Sequence, residues 1–562
     1  MSARFRERLE LVVLLGACAI VFVVVAAMLA AWTCDDAFIS IRYARNLAAG
    51  DGLVFNPGER VEGYTNPAWT LGLALVLTLG LDPEAWSIRL GVLAFAIALG
   101  LLVLQHRHHL RAQLGVTAVP VAAIVGAAHV DWAIYATSGL ETSMLATVVL
   151  AGFVALARDV RREPARGWPP AAWLGFAVLV RPDAGLFAIA CVVPYLGHRR
   201  ALARYLATLV LCVGPGVLAR WMYYGALVPN TYAAKSAGTP WWDQGLAYLE
   251  LYLQDYWALA LALALPLALV GAWRQHQRVR RSSPAILAMA LAVILYATAI
   301  VRVGGDFMFA RLFVPLTPLL AVLFERGLAD VWPGRTIVHG GATAAVVLAM
   351  HVSPRPVDAD RWPHGIADEW AVYDPETVAR MRRDAAALAR ALDGTPVRVA
   401  FLGGMARVID DARVPWAVDG ETGLTDAGIA GKPLARRGRP GHEKRATVDE
   451  LLARRVHFVL GHRADATLRV GDAIPFVPLR VGDLEGFAIQ WDPVLFAHLR
   501  ARGVAIADFE RQLDRLVASL PTLNDARAGA AYRRVQRFYF DWVDDPERRA
   551  PFLVRFPDEA TR

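Results

Sequence analysis

Lysine is nearly missing from this chain of 562 residues: Lys and Arg together number 59, and only Lys235, Lys432 and Lys444 are lysine. Where arginine is used almost everywhere, each lysine is a candidate for work a planar guanidinium does poorly, such as presenting a compact point charge. Cysteine is scarce too. Of the four present, Cys18, Cys191 and Cys212 lie inside apolar runs, which excludes a disulfide framework. Charge is absent altogether from Leu11 to Trp32. A bilayer crossing takes about 20 apolar residues, whereas the apolar part of a cleaved signal peptide has roughly 7 to 15, so a retained membrane helix is expected there.

What the chain has in quantity is apolar surface. Hydrophobic residues make up 56% and the mean hydropathy is +0.38, which excludes an ordinary soluble enzyme and indicates a polytopic membrane protein. The net charge of +8 would suit a nucleic-acid binder, but the arginines cluster in short loops between apolar runs, the positive-inside pattern. Basic loops at 4–8, 107–111, 158–166, 199–204, 274–281 and 326–335 are placed in the cytoplasm. The alternate segments then lie outside: 33–85, 132–142, a tight turn at 181–183, 224–252, 302–310 and everything after 351. The stretch 67–80 is too short to span comfortably and reads as an interfacial or re-entrant helix. The run 171–196, broken by "RPD", reads as two short helices. The threading gives about eleven spans, with the N-terminus inside and the C-terminus outside.

After residue 351 charges become frequent and long apolar runs vanish. Short strand candidates, "VRVAFLG" (397–403) and "HFVLG" (457–461), alternate with helical stretches such as 376–392. The expected organisation is a helical membrane domain over 1–351, with its first extracytoplasmic loop at 33–85, and a soluble α/β domain over 352–562 on the same side as that loop.

The loop opens with "CDDAFISIRYARN" from Cys34. Phe38, Ile41, Ala44, Leu47 and Ala48 recur at three- and four-residue spacing while Arg42 and Arg45 point elsewhere, which predicts a short helix lying along the membrane surface. "GDG" at 50–52 stops it and "NPGER" from Asn56 makes a turn. Asp35 and Asp36 either cap this helix, where a carboxylate meets backbone N–H groups and the favourable dipole end, or include a general base with a raised pKa at the low-dielectric rim of the bundle.

The run "DDAFISIRYARNLAAGDGLVFNPGERVEGYTNPAW" resembles the first extracytoplasmic loop of the GT-C membrane glycosyltransferases, in the branch of the terminal arabinofuranosyltransferases. "TSGLET" from Thr137, "VRPDAG" from Val180, "LVPNTYAAKS" from Leu227, "VGGDFMFARLFVPLTPLL" from Val303, "GLTD" at 423–426 and "GHEK" at 441–444 follow in the same order. The resemblance covers most of the membrane part and the middle of the soluble part, and no matching motif follows residue 480. It implies a transferase that uses a polyprenyl-phosphate sugar on the outer face of the cytoplasmic membrane. The catalytic base then falls on Asp35, with Asp36 beside it; a similar pair in the related aminoarabinose transferases favours Asp35.

That chemistry asks for a carboxylate to take the proton of an attacking hydroxyl and for cations aimed at the leaving phosphate. A single displacement predicts inversion at the sugar. Lys235, in "NTYAAK", is the favoured phosphate contact, and Arg311 is the second, against the alternative of an interfacial arginine snorkelling from a helix end. Glu62, Tyr64, Asn66 and Trp69 have the character of sugar ligands, as would an interfacial aromatic belt. Glu141, Asn230, Tyr232, Asp306, His442, Glu443 and Lys444 complete the substrate-binding expectation; Glu141 would equally serve as a helix cap and Asp306 as a turn residue. Arg181 and Asp183 would satisfy each other within the membrane. No second cluster joins His442 and Glu443 at metal-ligand spacing, so no metal is assigned and a divalent cation is left open. Arabinofuranose is the implied sugar, and the acceptor is a cell-envelope glycan or glycolipid. Two rivals stand beside this reading: an oligosaccharide ligase or polymerase using a pyrophosphate-linked donor, and a lipid-linked sugar transporter. The leaving lipid, monophosphate or pyrophosphate, separates the first rival.

Overall fold

The computed structural model describes residues 32–106, 119–256, 283–333, 335–352, 355–434, 436–461 and 477–557. The expected first span up to residue 31 and the basic loops at 4–8, 107–111 and 274–281 lie outside the described residues. Among those described, four helices are long and apolar enough to cross a bilayer: Pro83–His106, Thr142–Asp159, Arg199–Tyr224 and Pro284–Val303. Shorter apolar helices lie at Pro67–Thr78, Trp168–Val180, Pro182–Tyr195 and Thr336–Val352. The break inside 171–196 is where Arg181 leaves helical geometry and Pro182 starts a 3-10 turn; proline cannot donate to the preceding turn, so the helix ends there. Arg181 and Asp183 are paired at 2.8 Å.

The C-terminal part carries a six-stranded sheet in the order β2-β1-β3-β5-β4-β6, with β1 Arg398–Leu402, β2 Trp416–Asp419, β3 Phe458–Gly461, β4 Val477–Val481, β5 Leu484–Ala488 and β6 Ala505–Ile506. The first three strands run parallel, Val399 facing both Ala417 and Phe458, and the others are antiparallel. "WAVD" and "FVLG" are buried throughout, as parallel strands covered on both faces are, while "VPLRV" alternates buried and exposed. The helix Pro375–Leu392 starts with Asp374 accepting the Thr377 N–H, and its Met381, Ala385 and Leu388 join the core of the sheet.

The first loop is shared between the two parts. Its helix, Ala37–Ala49, ends on Gly50 at φ 92°, a left-handed cap. Phe38, Ile41 and Ala44 pack on Trp69, Leu73 and Ala74 of the next helix, as the spacing predicts. The opposite face is not left to solvent: Tyr43, Phe55 and Tyr64 belong to the hydrophobic core of the sheet. Ala48 is exposed, and Arg42 is buried with its Nε donating to Phe55 O at 2.8 Å and Nη2 to Val414 O at 2.9 Å. The expected surface-lying helix is therefore a sandwiched one, because backbone carbonyls from the first loop and from the segment just before β2 satisfy the guanidinium. The Asn56 side chain likewise pairs with Ala417 N–H and C=O on β2. Replacing Arg42 with Ala strands these carbonyls in a buried seam; a loss of roughly 2–4 kcal/mol is expected, read as a lowered Tm in detergent and faster proteolysis between the membrane part and the sheet.

Candidate active site

Asp36 occupies the N-cap position of Ala37–Ala49 but makes no side-chain cap bond. Asp35 caps a different element: its Oδ2 accepts the Ala406 N–H at 2.9 Å and its Oδ1 the Arg407 N–H at 2.8 Å, at the start of Ala406–Asp411 just after β1. The capping alternative thus holds for one Asp, but across the chain rather than along it. Asp35 is 4% exposed, and burial pushes its carboxyl up to about 7 despite the two amides. Asp36 keeps a third of its side chain accessible.

Two cavities meet at Asp36. The first, about 370 Å³, lies among the membrane helices and is lined mainly by apolar groups such as Leu186, Val228, Ile300 and Val303. Its polar end carries Tyr64, Asn66, Arg181, Lys235, Asp306 and Arg311. Arg311 is the hub: Nη2 is 3.3 Å from Glu141 Oε1, and Nη1 is 3.6 Å from Asp306 and 3.9 Å from Asp36. Its buried Nε has no hydrogen-bond partner among the described residues. Glu141 stands behind, held by Arg181 at 3.5 Å and by the Asn66 amide at 2.8 Å; it occupies the N-cap position of Thr142–Asp159 without a side-chain cap bond and lines neither cavity, and its carboxylate fixes the arginines. Lys235 Nζ lies 3.7 Å from Asp306, and the lysine side chain stays 40% exposed.

The second cavity, about 310 Å³, opens at the carboxyl ends of β1 and β2, where Gly403, Gly404, Asp419, Glu421 and Thr422 line it together with Asp35, Asp36, Lys235, Glu369, Tyr373, Trp362, Arg439 and His442. Ligand crevices of open sheets with parallel strands form at this end. Asp36 and Lys235 line both cavities.

Of the other expected ligands, Tyr232 and Glu443 line the first cavity and His442 the second. Four line neither. Glu62 is taken by Arg220 at 2.6 Å, Trp69 donates its indole N–H to Gly139 O at 3.1 Å, Asn230 donates to Gly423 O and Leu424 O, and Lys444 donates to Lys432 O. Asn230 thus ties the 228–235 segment to the sheet part, Glu62 and Trp69 tie the first loop to the membrane part, and Lys444 braces the sheet part internally. Glu369, Arg439, Tyr373 and Trp362 escaped the sequence reading, since no motif marks them. Among the described residues no three His, Cys, Asp or Glu side chains converge as a metal ion would need.

The buried acids give the assembly a pH dependence. Glu369 is raised from 4.5 to about 8, chiefly by burial and then by Asp36, and Asp35 from 3.8 to about 7. The folded protein holds these protons where the unfolded chain has released them, so their stabilising effect is complete below the unfolded values and is lost as pH rises through the folded ones. Tm should fall between pH 4.5 and 8, and Asp35→Asn should flatten the lower part of that decline. A Tm that rises over this window would contradict the assignment.

No family model matches the chain. It is 33% identical over 336 residues to the terminal β-(1→2)-arabinofuranosyltransferase of Mycobacterium tuberculosis, covering 53% of each chain. To the protein of the same name from Corynebacterium glutamicum it is 30% identical over 338 residues, covering 53% of this chain and 48% of that one. The chain spans about half the length of these curated relatives. Among solved structures, ArnT from Cupriavidus metallidurans bound to undecaprenyl phosphate superposes with a TM-score of 0.55 at 15% identity, over 85% of this chain and 98% of that one. Its apo form gives 0.54 at 16% identity, over 86% and 98%. The resemblance carried by the first loop is thus borne out by arabinofuranosyltransferase relatives, and the architecture is that of a multi-pass membrane protein with the fold of ArnT.

Proposed function

We propose that this protein is an inverting glycosyltransferase that moves a sugar, arabinofuranose by its relatives, from a polyprenyl-monophosphate donor to a cell-envelope glycan on the outer face of the cytoplasmic membrane. Residues 352–562 lie on that same side, a reading supported by the positive-inside threading and by the core that the first loop shares with the sheet. The observation that carries the proposal is the meeting of two unlike cavities at Asp36 and Lys235: an apolar one with clustered cations suits a lipid phosphate, and a polar, aromatic one suits a glycan.

The donor phosphate faces Arg311 and Lys235 at the polar end of the first cavity. Charge that builds on the leaving phosphate as the glycosidic bond breaks strengthens both contacts, and this differential lowers the barrier. The acceptor hydroxyl enters from the second cavity and attacks the anomeric carbon from the side away from the phosphate, which inverts the sugar. Its proton goes to a carboxylate. Access favours Asp36, which reaches both cavities, over Asp35, whose oxygens are each engaged by an amide. Asp35 remains the second reading because it lines the acceptor cavity and its pKa of about 7 suits a general base.

A panel of polyprenyl-monophosphate sugars, arabinofuranose included, offered to the purified protein in nanodiscs tests the reading. Transfer or slow hydrolysis of one donor, with release of the monophosphate lipid, is expected. Turnover of pyrophosphate-linked donors alone would transfer the assignment to a ligase, and movement of donor across the bilayer without cleavage to a transporter.

A further inference from the structure

The acceptor cavity holds one carboxyl group set by a long-range backbone contact. Met308 and Ala367 form a β-bridge, with Ala367 N–H donating to Phe307 O at 2.7 Å and Phe309 N–H to Ala367 O at 2.9 Å. This bridge fixes the start of the short helix Glu369–Val372 against the loop that carries Asp306 and Arg311. Glu369 is 5% exposed and lines the cavity. Among the described residues its carboxyl takes part in no hydrogen bond, and Arg439 Nη2 lies 3.8 Å away, a guanidinium stacked 4.8 Å from the centroids of both Phe307 and Trp362. Asp35 and Asp36 face Glu369 from the first loop, and Asp306 from the 304–311 segment. Lys235, Arg380, His442, Asp419, Glu421 and Tyr373 share the cavity.

Burial first, and then the nearby Asp36, Asp35 and Asp306 against one committed guanidinium, favour the neutral acid at this position, in keeping with its raised pKa. A buried acid of that kind carries an O–H that needs an acceptor oxygen. A second ionised carboxylate beside Asp36 would also compete for the proton of the attacking hydroxyl; a neutral one orients the sugar without competing.

We propose that Glu369 positions the acceptor: its carboxylic acid donates a hydrogen bond to an oxygen of the incoming sugar, holding the attacking hydroxyl against Asp36. This rests on the transferase reading above. The test uses polyprenyl-monophosphate arabinofuranose as donor and a short synthetic arabinofuranose oligosaccharide as acceptor, and follows transfer and donor hydrolysis together in nanodiscs. Glu369→Ala should raise the acceptor KM about tenfold, the equivalent of one hydrogen bond, and lower the ratio of transfer to hydrolysis. Glu369→Gln keeps an N–H donor and should stay within about threefold of wild type. In wild type the acceptor KM should climb as pH passes about 8, while in the Gln variant it stays level. A Gln variant as impaired as the Ala variant, or a KM that climbs equally in both, overturns the proposal while leaving the transferase reading intact. A wild-type protein that neither transfers nor hydrolyses the donor overturns both.

Discussion

Asp36→Asn should lower transfer at saturating donor and acceptor by about a hundredfold to ten-thousandfold, the usual contribution of a positioned general base. The substitution keeps shape and hydrogen bonding but removes the proton-accepting charge, so donor KM should change little. Asp36 sits where an apolar, cation-ended cavity runs into a polar one, the place where the proposed donor and acceptor would meet. Asp35→Asn is the discriminating partner. The amides of Ala406 and Arg407 that cap on Asp35 would be met by one oxygen and one NH₂ group, so that variant should lose Tm and part of its rate through loosened docking of the sheet. If Asp35→Asn instead removes all transfer at unchanged Tm, and the wild-type rate inflects near the Asp35 pKa of about 7, the base is Asp35.

Much of this arrangement was legible because it is local. The stripe of Phe38, Ile41 and Ala44, the left-handed stop at Gly50, the break at Arg181 and the runs that became β1 and β3 are written in neighbouring residues. Lys235 was found by its rarity, and it stands between the two cavities. The misplacements are all non-local. Glu62 has the character of a sugar ligand, but its partner is Arg220 on a membrane helix 158 residues away. The spacing places Arg42 only off the apolar stripe, because the carbonyl of Val414 that binds it is 372 residues distant. Glu369 sits in "IADEWAV", where nothing in the spacing reveals the bridge to Met308 that sets it in the cavity. Periodicity reports which face of an element is apolar; it is silent on what another part of the chain lays over the polar face.

Arg311 is where the electrostatics of the proposed donor site converge, and Arg311→Met should cut kcat about a hundredfold to a thousandfold, the effect of losing one preorganised contact to a developing anion. The snorkelling alternative is excluded by its surroundings: the guanidinium is buried beside Glu141, Asp306 and Asp36, held inward by acids rather than reaching for water. Glu141 is wholly buried, and its carboxyl lies below the usual range because Arg311, followed by Arg181, outweighs the burial that would raise it. Removing Arg311 alone therefore also weakens the fold, since it leaves Arg181 as the one cation on that carboxylate. Glu141→Gln combined with Arg311→Met removes both charges and should recover Tm without recovering kcat. Were kcat to return with Tm, Arg311 would be a scaffold for the loop and not a contact of the leaving phosphate, and the burden of stabilising that phosphate would pass to Lys235.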